Sequence, residues 1–236
     1  MNKLTKLAAA TLLAAVAGQA MAVDDNVDVK VTGQIVPPAC IPAMSGGAVF
    51  DYGGIKAASL NSDDFNVLGE KTLNFSVACE SPTKMAFKVT DARKGTAVLP
   101  VGKRMQQRTI ATDTALSGLG TEDGKNIGAY SLNIAKLTID KGDGSPVIAL
   151  NSLDSIRSED NGQTWTKLTT DTYTRVYLDD DGRLFSLAEK GSLEPLSVKV
   201  MNGTMWAQVA INKGSELNLT KINNLDGQSN IQIIYL

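Results

Sequence analysis

Hydrophobic and polar residues alternate in many short runs along this chain, and a period of two is typical of half-buried β-strands. The clearest run lies in residues 26–36, where five apolar or small residues share one face: Val27, Val29, Val31, Gly33 and Ile35. Pro37 and Pro38 follow, and proline has no N–H to give to a sheet. The pattern therefore predicts a first strand that ends just before Cys40.

Further alternating runs are separated by glycine, asparagine and aspartate turns, and helical signals are few. The runs predict strands at 49–54, 72–79, 85–91, 126–135, 135–140, 146–150, 164–168, 174–178, 184–188, 193–201, 205–211 and 229–236. A turn at Ser81-Pro82 is expected between the second and third of them. Many short strands of this kind predict an all-β sandwich, and residues 94–117, polar and rich in threonine, are expected to form an irregular loop insertion.

The first 22 residues have the organisation of a secretory signal peptide. Lys3 and Lys6 form a basic start, residues 7–18 are apolar, and Ala20-Met21-Ala22 is a small-x-small cleavage site. The apolar run is shorter than the roughly 20 residues that span a bilayer. We therefore expect a mature chain of residues 23–236 that is exported through the inner membrane, does not span a membrane and forms a single domain.

Composition excludes several kinds of active site. The chain has no histidine, which removes Ser-His-Asp and Cys-His centres and the commonest zinc ligand. A mechanism with two carboxylates is compatible with the composition, but no spacing singles out such a pair. The net charge of −2 indicates no nucleic-acid surface. We predict a protein that is not an enzyme, with no catalytic, cofactor-binding or metal-binding residues.

The two cysteines, Cys40 and Cys79, both follow the predicted signal peptide, and each ends a strand-like run. In an oxidising compartment such a pair most simply forms one disulfide. Closing a loop of about 40 residues stabilises a fold by roughly 4 kcal/mol in the chain-entropy model. Two buried free thiols are the alternative.

Two short motifs have both a functional and a structural interpretation. Residues 158–165 fit the S-x-D-x-G-x-T-W pattern of the Asp-box, a hairpin turn found in sialidase propellers. A single copy without an arginine cluster favours a plain hairpin, in which Asp160 bonds the turn, Gly162 takes positive φ and Trp165 packs below. Residues 179–182 (Asp-Asp-Asp-Gly) lack the spaced ligands of an EF-hand loop, so they too predict a hairpin turn.

The two ends of the chain together resemble the subunits of chaperone–usher pili. Residues 31–40 are similar to the start of pilins, where alternating hydrophobic residues and a glycine precede the first cysteine. Residues 73–79 resemble the strand that carries the partner cysteine. Residues 229–236 resemble the C-terminal strand with its penultimate tyrosine, here Tyr235.

Four further motifs resemble a bacterial family of exported, fimbrial-like proteins of unknown function. They are Phe50-Asp-Tyr-Gly-Gly-Ile, Ser59-Leu-Asn, Ser81-Pro-Thr-Lys-Met-Ala-Phe and Ser117-Gly-Leu-Gly-Thr. As a set they are fairly specific, and the resemblance covers nearly all of the mature chain.

The resemblance implies an immunoglobulin-like, pilin-like β-sandwich that lacks its own last strand. In pilins a periplasmic chaperone lends a strand to the open groove, and the N-terminal extension of the next subunit then replaces it. The implied partners are that chaperone, an outer-membrane usher and other fibre subunits, in the periplasm or in a fimbrium on the cell surface. The implied functional residues are the donor strand with Val27, Val29, Val31, Gly33 and Ile35, the Cys40–Cys79 disulfide, and the chaperone-paired strand with Ile231, Ile233 and Tyr235.

Two features differ from a major pilin. Only ten residues, 23–32, precede Gly33 as a possible donor arm, and the mature chain is long. We therefore expect a structural subunit that is minor or tip-associated and is assembled by donor-strand exchange. The alternative is a self-contained periplasmic sandwich that binds a ligand or protein, does not polymerise and uses residues 27–35 as its own first strand.

The C-terminal strand has apolar residues on both faces. Ile231, Ile233 and Tyr235 share one face, and Ile234 and Leu236 lie on the other. This pattern predicts a strand inside the sandwich rather than at a solvated surface. If the last strand is absent, one edge of this strand is left unpaired.

Overall fold

A computed structural model describes residues 28–36, 38–168 and 175–236. The predicted signal peptide and the donor arm up to Val27 lie outside the described residues. The chain divides into two compact units, Met1–Val36 and Pro37–Leu236. Within the described ranges no helix is long and apolar enough to cross a membrane.

The second unit is built mainly from β-strands, as the alternating pattern predicts. The strands of the described residues are β1 (Cys40–Met44), β2 (Asn66–Val67), β3 (Lys71–Asp91), β4 (Arg104–Met105), β5 (Arg108–Thr109), β6 (Ser117–Gly118), β7 (Thr121–Glu122), β8 (Lys125–Asn126), β9 (Gly128–Asp140), β10 (Ile148–Ala149), β11 (Leu153–Ser158), β12 (Thr166–Lys167), β13 (Arg175–Tyr177), β14 (Leu184–Glu189), β15 (Ser197–Ile211) and β16 (Ser229–Tyr235). Short 3-10 helices occupy Ser45–Ala48, Ala57–Ser59, Leu150–Ser152 and Gly214–Glu216.

Twelve of these strands form one sheet that curls into a sandwich, with the main path β10-β9-β15-β3-β14-β11-β12. β3 is common to both layers, because its first half pairs with β1 and β15 and its second half with β14 and β16. The disulfide joins Cys40 to Cys79, which lie directly opposite each other on β1 and β3. The predicted all-β sandwich and its disulfide are confirmed.

Several strands are longer than the sequence predicted. β3 runs without a break through the expected turn at Ser81-Pro82, and β9 and β15 each replace two predicted strands. The register between β15 and β3 shifts between Val198 and Val200, opposite this proline. Proline is tolerated at such an irregularity because the ladder is already interrupted there.

The main core lies between the two layers. Val77 on β3, Ile134 on β9 and Met205 on β15 are all at most 1% exposed and belong to one buried cluster. Each faces inward because alternate residues of a strand point to opposite sides of the sheet. The same inward face of β9 and β15 continues beyond the core and forms the floor of the site described below.

The region predicted as an irregular insertion, residues 94–117, contains the β4–β5 hairpin packed on the outer face of the sheet. Met105 and Ile110 are buried against Ala210 in a small second core. The Arg108 guanidinium donates to both carboxylate oxygens of Asp179 at 3.1 Å. Apolar burial and this ion pair together fix the hairpin.

The Asp-box residues form the predicted hairpin turn between β11 and β12. The Asp160 carboxylate accepts hydrogen bonds from the Thr164 N–H (2.9 Å) and hydroxyl (2.6 Å), and these bonds lower the pKa of Asp160 to about 2. Gly162 has φ of +91°, and the Trp165 indole N–H donates to its carbonyl at 3.2 Å.

Two local predictions are wrong. Residues 49–54 form no strand, because they have no ladder partner among the described strands and contact the sheet through side chains such as Phe50 and Tyr52. Residues 179–182 are not a hairpin turn, because β13 pairs with β9 in one layer while β14 pairs with β11 and β3 in the other. The aspartates of this crossover lie near cations instead: Asp179 near Arg108, Asp180 near Lys94 and Asp181 near Arg183.

Candidate strand-acceptor edge

β16 is an edge strand in the part of the chain that the structure describes. It pairs antiparallel with β3, from Ser229 opposite Asp91 to Tyr235 opposite Met85. Among the described strands, β3 is its only partner. An edge of this kind presents a row of backbone N–H and C=O groups that another strand can use.

The hydrogen-bond register identifies the free backbone groups of β16. The Leu236 N–H donates to the Lys84 carbonyl, and the Ala92 N–H donates to the Gln228 carbonyl. In an antiparallel ladder bonded and non-bonded pairs alternate, so the even-numbered residues of β16 point their backbone groups at β3. The outward N–H and C=O groups are those of Ser229, Ile231, Ile233 and Tyr235.

The side chains of β16 are less buried than the sequence predicted. Ile231 and Ile233 pack half-buried against the main core. Gln232 is exposed, and Tyr235 and Leu236 are 39% and 44% exposed. The expectation of a strand inside the sandwich is wrong for Gln232, Tyr235 and Leu236, because a strand at an edge has neighbours on one side only.

A groove of about 1180 Å³ opens beside β16. Its floor is the inner face of β9 and β15, including Leu132, Ala207 and Val209, and Ile231 lines the side formed by β16. Pockets for small molecules measure about 300–1,000 Å³. The size of the groove and its place beside a free strand edge therefore favour a peptide segment over a single small ligand.

The opposite side of the groove is formed by residues 49–60, which we call the strap. Phe50, Tyr52 and Ile55 line the groove and pack half-buried against the core. The Tyr52 hydroxyl donates to the Ala207 carbonyl at 2.9 Å. Burial, with the nearby Glu70 charge, raises the pKa of Tyr52 to about 12. The strap is thus held on the sheet by side chains and not by a backbone ladder.

One end of the groove is polar. The hydroxyls of Tyr130 and Ser229 lie 2.6 Å apart, and burial raises the pKa of Tyr130. The loop 217–228, which leads into β16, is held by ionic contacts from Arg93 to Asp226 at 2.7 Å and from Lys221 to Asp123 at 2.5 Å. Backbone hydrogen bonds from the Asp226 N–H to the Leu119 carbonyl and from the Ala92 N–H to the Gln228 carbonyl hold the end of this loop, where β16 begins.

Tyr235 connects β16 to the disulfide-bonded strand. Its phenol oxygen accepts a hydrogen bond from the Cys40 N–H at 2.9 Å. Cys40 is in turn bonded to Cys79 on β3. The structure thus brings together three residues that the sequence analysis singled out separately: Cys40, Cys79 and Tyr235.

The predicted donor residues are described in part. Val27 lies outside the described residues, and residues 28–36, in the first unit, form no regular secondary structure. Val29 is 83% exposed, Val31 96% and Ile35 104%, and a Cβ added at Gly33 would meet nothing within 4 Å. The half-buried strand expected here is not formed by residues 28–36. Donation of this segment to another subunit stays a prediction.

Sequence reasoning missed the strap and Tyr130. The strap alternates like a strand, so its pattern gave no sign that it would form one side of a groove. Tyr130 lies in a predicted strand, and nothing local places its hydroxyl beside Ser229. The free edge of β16 was expected only from the resemblance to pilins, because the local pattern does not show which strands are neighbours.

Comparison with known proteins agrees with part of the predicted resemblance. Residues 29–131 match the model of a family described as a protein of unknown function (DUF1120). This range contains all four motifs on which the resemblance to fimbrial-like proteins was based.

Two curated proteins of Escherichia coli K12 are similar along the whole chain. The uncharacterized protein YhcF is 29% identical over 100% of both chains. Protein GltF is 26% identical over 100% of this chain and 98% of its own. No solved structure matches the chain significantly. The chain is therefore similar to two bacterial proteins, one of them uncharacterized, and in residues 29–131 to a family of unknown function. Its fimbrial-like nature stays a prediction.

Proposed function

We propose that this protein is a structural subunit, minor or tip-associated, of a bacterial surface fibre assembled through a chaperone and usher by donor-strand exchange. The observation that carries the proposal is the row of outward backbone groups on β16 beside the apolar groove. An incoming strand can form ladder bonds with these groups and place alternate side chains on the groove floor.

The energetics require a well-matched groove. Burying three valines, such as Val27, Val29 and Val31, contributes roughly 5 kcal/mol. Ordering ten residues costs about 1–2 kcal/mol each in backbone entropy. Ladder bonds to β16 and a deep apolar floor are therefore both needed for stable donation.

On this proposal the protein acts by binding and has no catalytic centre, cofactor or metal. It is exported by its signal peptide, and its partners are a periplasmic chaperone, the outer-membrane usher and neighbouring subunits. It resides in the periplasm or in a fimbrium. Residues 27–35 of one subunit are the strand given to the next.

The test uses a synthetic peptide of residues 24–36 and the purified exported protein. We expect the peptide to slow hydrogen exchange at the outward amides of Ile231, Ile233 and Tyr235, because these N–H groups gain ladder bonds. The amides of Gln232 and Ile234 serve as internal controls, since they already face β3. NMR at residue resolution separates the two sets.

A peptide with Val29→Asp and Val31→Asp is the matched control and should give no protection, because charged side chains cannot enter the apolar floor. The proposal is overturned if, at saturating concentration of the unmodified peptide, the outward amides exchange hydrogen as fast as they do in the free protein.

A further inference from the structure

We propose that Tyr235 and Pro42 close the outer edge of β1, so that a foreign strand cannot add to it. Both strands pair with β3, β1 along residues 75–79 and β16 along residues 85–91. Among the described strands each has β3 as its only partner. The inference concerns β1 and does not depend on the proposed fibre function.

The register of β1 shows which of its backbone groups point outward. The Glu80 N–H donates to the Ala39 carbonyl, and Cys40 lies opposite Cys79 in the same register. Because bonded and non-bonded pairs alternate, Ile41 and Ala43 direct their backbone groups at β3. Cys40, Pro42 and Met44 direct theirs away from it.

Two of these three outward positions cannot donate to a new strand. The Cys40 N–H is bonded to the Tyr235 phenol oxygen at 2.9 Å, and Pro42 has no N–H. The remaining donor, on Met44, lies at the last residue of β1 before the 3-10 helix Ser45–Ala48. On β16, by contrast, all four outward residues have an N–H.

Proline and blocked donors are known means by which proteins prevent edge-to-edge pairing. Here the block on β1 comes partly from β16 itself, because the side chain that takes the Cys40 N–H belongs to Tyr235. Ile41 is 68% exposed, so an unblocked β1 would offer both ladder groups and an apolar side chain. A second copy of this chain presents the same edge, and two identical edges can pair antiparallel about a two-fold axis. The occupant that an unblocked β1 would accept is therefore this edge of a second copy.

The first test measures the block directly. In the Tyr235→Phe variant the Cys40 amide loses its acceptor, and we expect its hydrogen exchange to speed up about tenfold. Tyr177→Phe is the control, because it too removes a phenol that is hydrogen-bonded to the backbone. The Tyr177 hydroxyl donates to the Gln106 carbonyl, and Tyr177 lies on β13, which pairs with β9 and not with β1. Equal Cys40 exchange in Tyr235→Phe and the unmodified protein overturns the role of Tyr235.

The second test restores both donors with the double variant Pro42→Val and Tyr235→Phe. We expect its self-association, measured by sedimentation at increasing concentration, to exceed that of the unmodified protein and to protect the new backbone amide at position 42. Ala43→Val is the control, since it adds a similar apolar side chain without an outward N–H. Self-association of the double variant no greater than that of Ala43→Val, or an unprotected amide at position 42, overturns the proposal.

Discussion

Tyr52 is the residue through which the strap is hydrogen-bonded to the sheet, and its ionisation reports on that contact. Burial raises the pKa of Tyr52 from 10.0 to about 12. We expect Tyr52→Phe to remove a tyrosinate transition near pH 12 from the ultraviolet titration of the protein. A titration in which the variant loses a transition near pH 10 instead would show that Tyr52 is solvated.

The sign of the pH effect follows from the direction of the pKa shift. The folded protein holds the Tyr52 proton more tightly than the unfolded chain, so the stabilisation is complete below pH 10 and is lost as the pH rises towards 12. The free energy of unfolding of the unmodified protein, measured with urea, should therefore fall between pH 10 and pH 12. In the Tyr52→Phe variant the free energy of unfolding should depend less on pH over this range.

The disulfide between Cys40 and Cys79 is a second contact at the residue scale that contributes to the stability of the fold. Replacing Cys40 and Cys79 by alanine together should lower the free energy of unfolding by roughly 4 kcal/mol, because the 39-residue separation no longer restricts the unfolded chain. Urea unfolding of the double variant and the unmodified protein measures this difference. As an independent check, alkylation of the unreduced native protein should label neither cysteine.

Residue-level patterns predicted side-chain direction well and backbone pairing poorly. Ile231 and Ile233 point into the core as their alternation indicated, and the Asp160 turn has the expected bonds. The Tyr235–Cys40 bond joins residues 195 positions apart, and no local pattern contains it. Which strand lies beside which, and hence which N–H groups remain free, depends on the whole topology.

At the scale of elements, the β4–β5 hairpin is held in part by the ion pair between Arg108 and Asp179. Desolvation raises the pKa of Asp179 although Arg108 opposes the shift, so the carboxylate is costly to bury without its partner. We expect Arg108→Met to destabilise the fold by about 3 kcal/mol. Adding Asp179→Asn should recover part of this loss, and a double-mutant cycle by urea unfolding measures the coupling.

The C-terminal strand gives a second prediction at this scale. Tyr235→Ala removes the phenol that joins β16 to Cys40, and since the side chain is 39% exposed we expect a loss of about 1–2 kcal/mol. On the proposed function it also lowers the amount of protein that co-purifies with the cognate chaperone. Gln232→Ala is the control, because that side chain is exposed and its amide faces β3.

The same variants show what would contradict this reading of β16. An undiminished chaperone complex with Tyr235→Ala would mean that Tyr235 takes no part in chaperone binding. An equal loss with Gln232→Ala would mean that the effect is general destabilisation and not a property of the edge.

Strands were predicted best where the alternation of apolar and polar residues is clear along one segment and that segment also has a pairing partner. The alternation in residues 72–79 and 85–91 correctly marked both halves of β3, but the turn between them was wrong because a strand shared by two layers needs no turn. The strap shows the opposite case: residues 49–54 have the period of a strand, yet they have no neighbour for a ladder. Pairing partners, which the local pattern does not contain, decided both outcomes.

For the molecule as a whole, the open groove predicts that stability depends on a bound strand. A segment that binds the folded state raises the free energy of unfolding by about 2.7 kcal/mol at one hundred times its dissociation constant. We therefore expect the peptide of residues 24–36 to raise the urea midpoint of the purified exported protein. The peptide carrying Val29→Asp and Val31→Asp should leave the midpoint unchanged.

The self-contained alternative predicts a different result for the same measurement. There the strap and the protein's own strands already cover the core sufficiently, so the protein refolds alone from denaturant and neither peptide shifts the midpoint. A fibre subunit should refold poorly by itself and recover when the peptide or the chaperone is present, because one side of its core, at Leu132, Ala207 and Val209, borders the open groove. Complete unaided refolding with no peptide effect would contradict the proposed function and favour the alternative. Neither result would bear on the closed edge of β1, because that proposal is tested by the hydrogen exchange of the Cys40 amide.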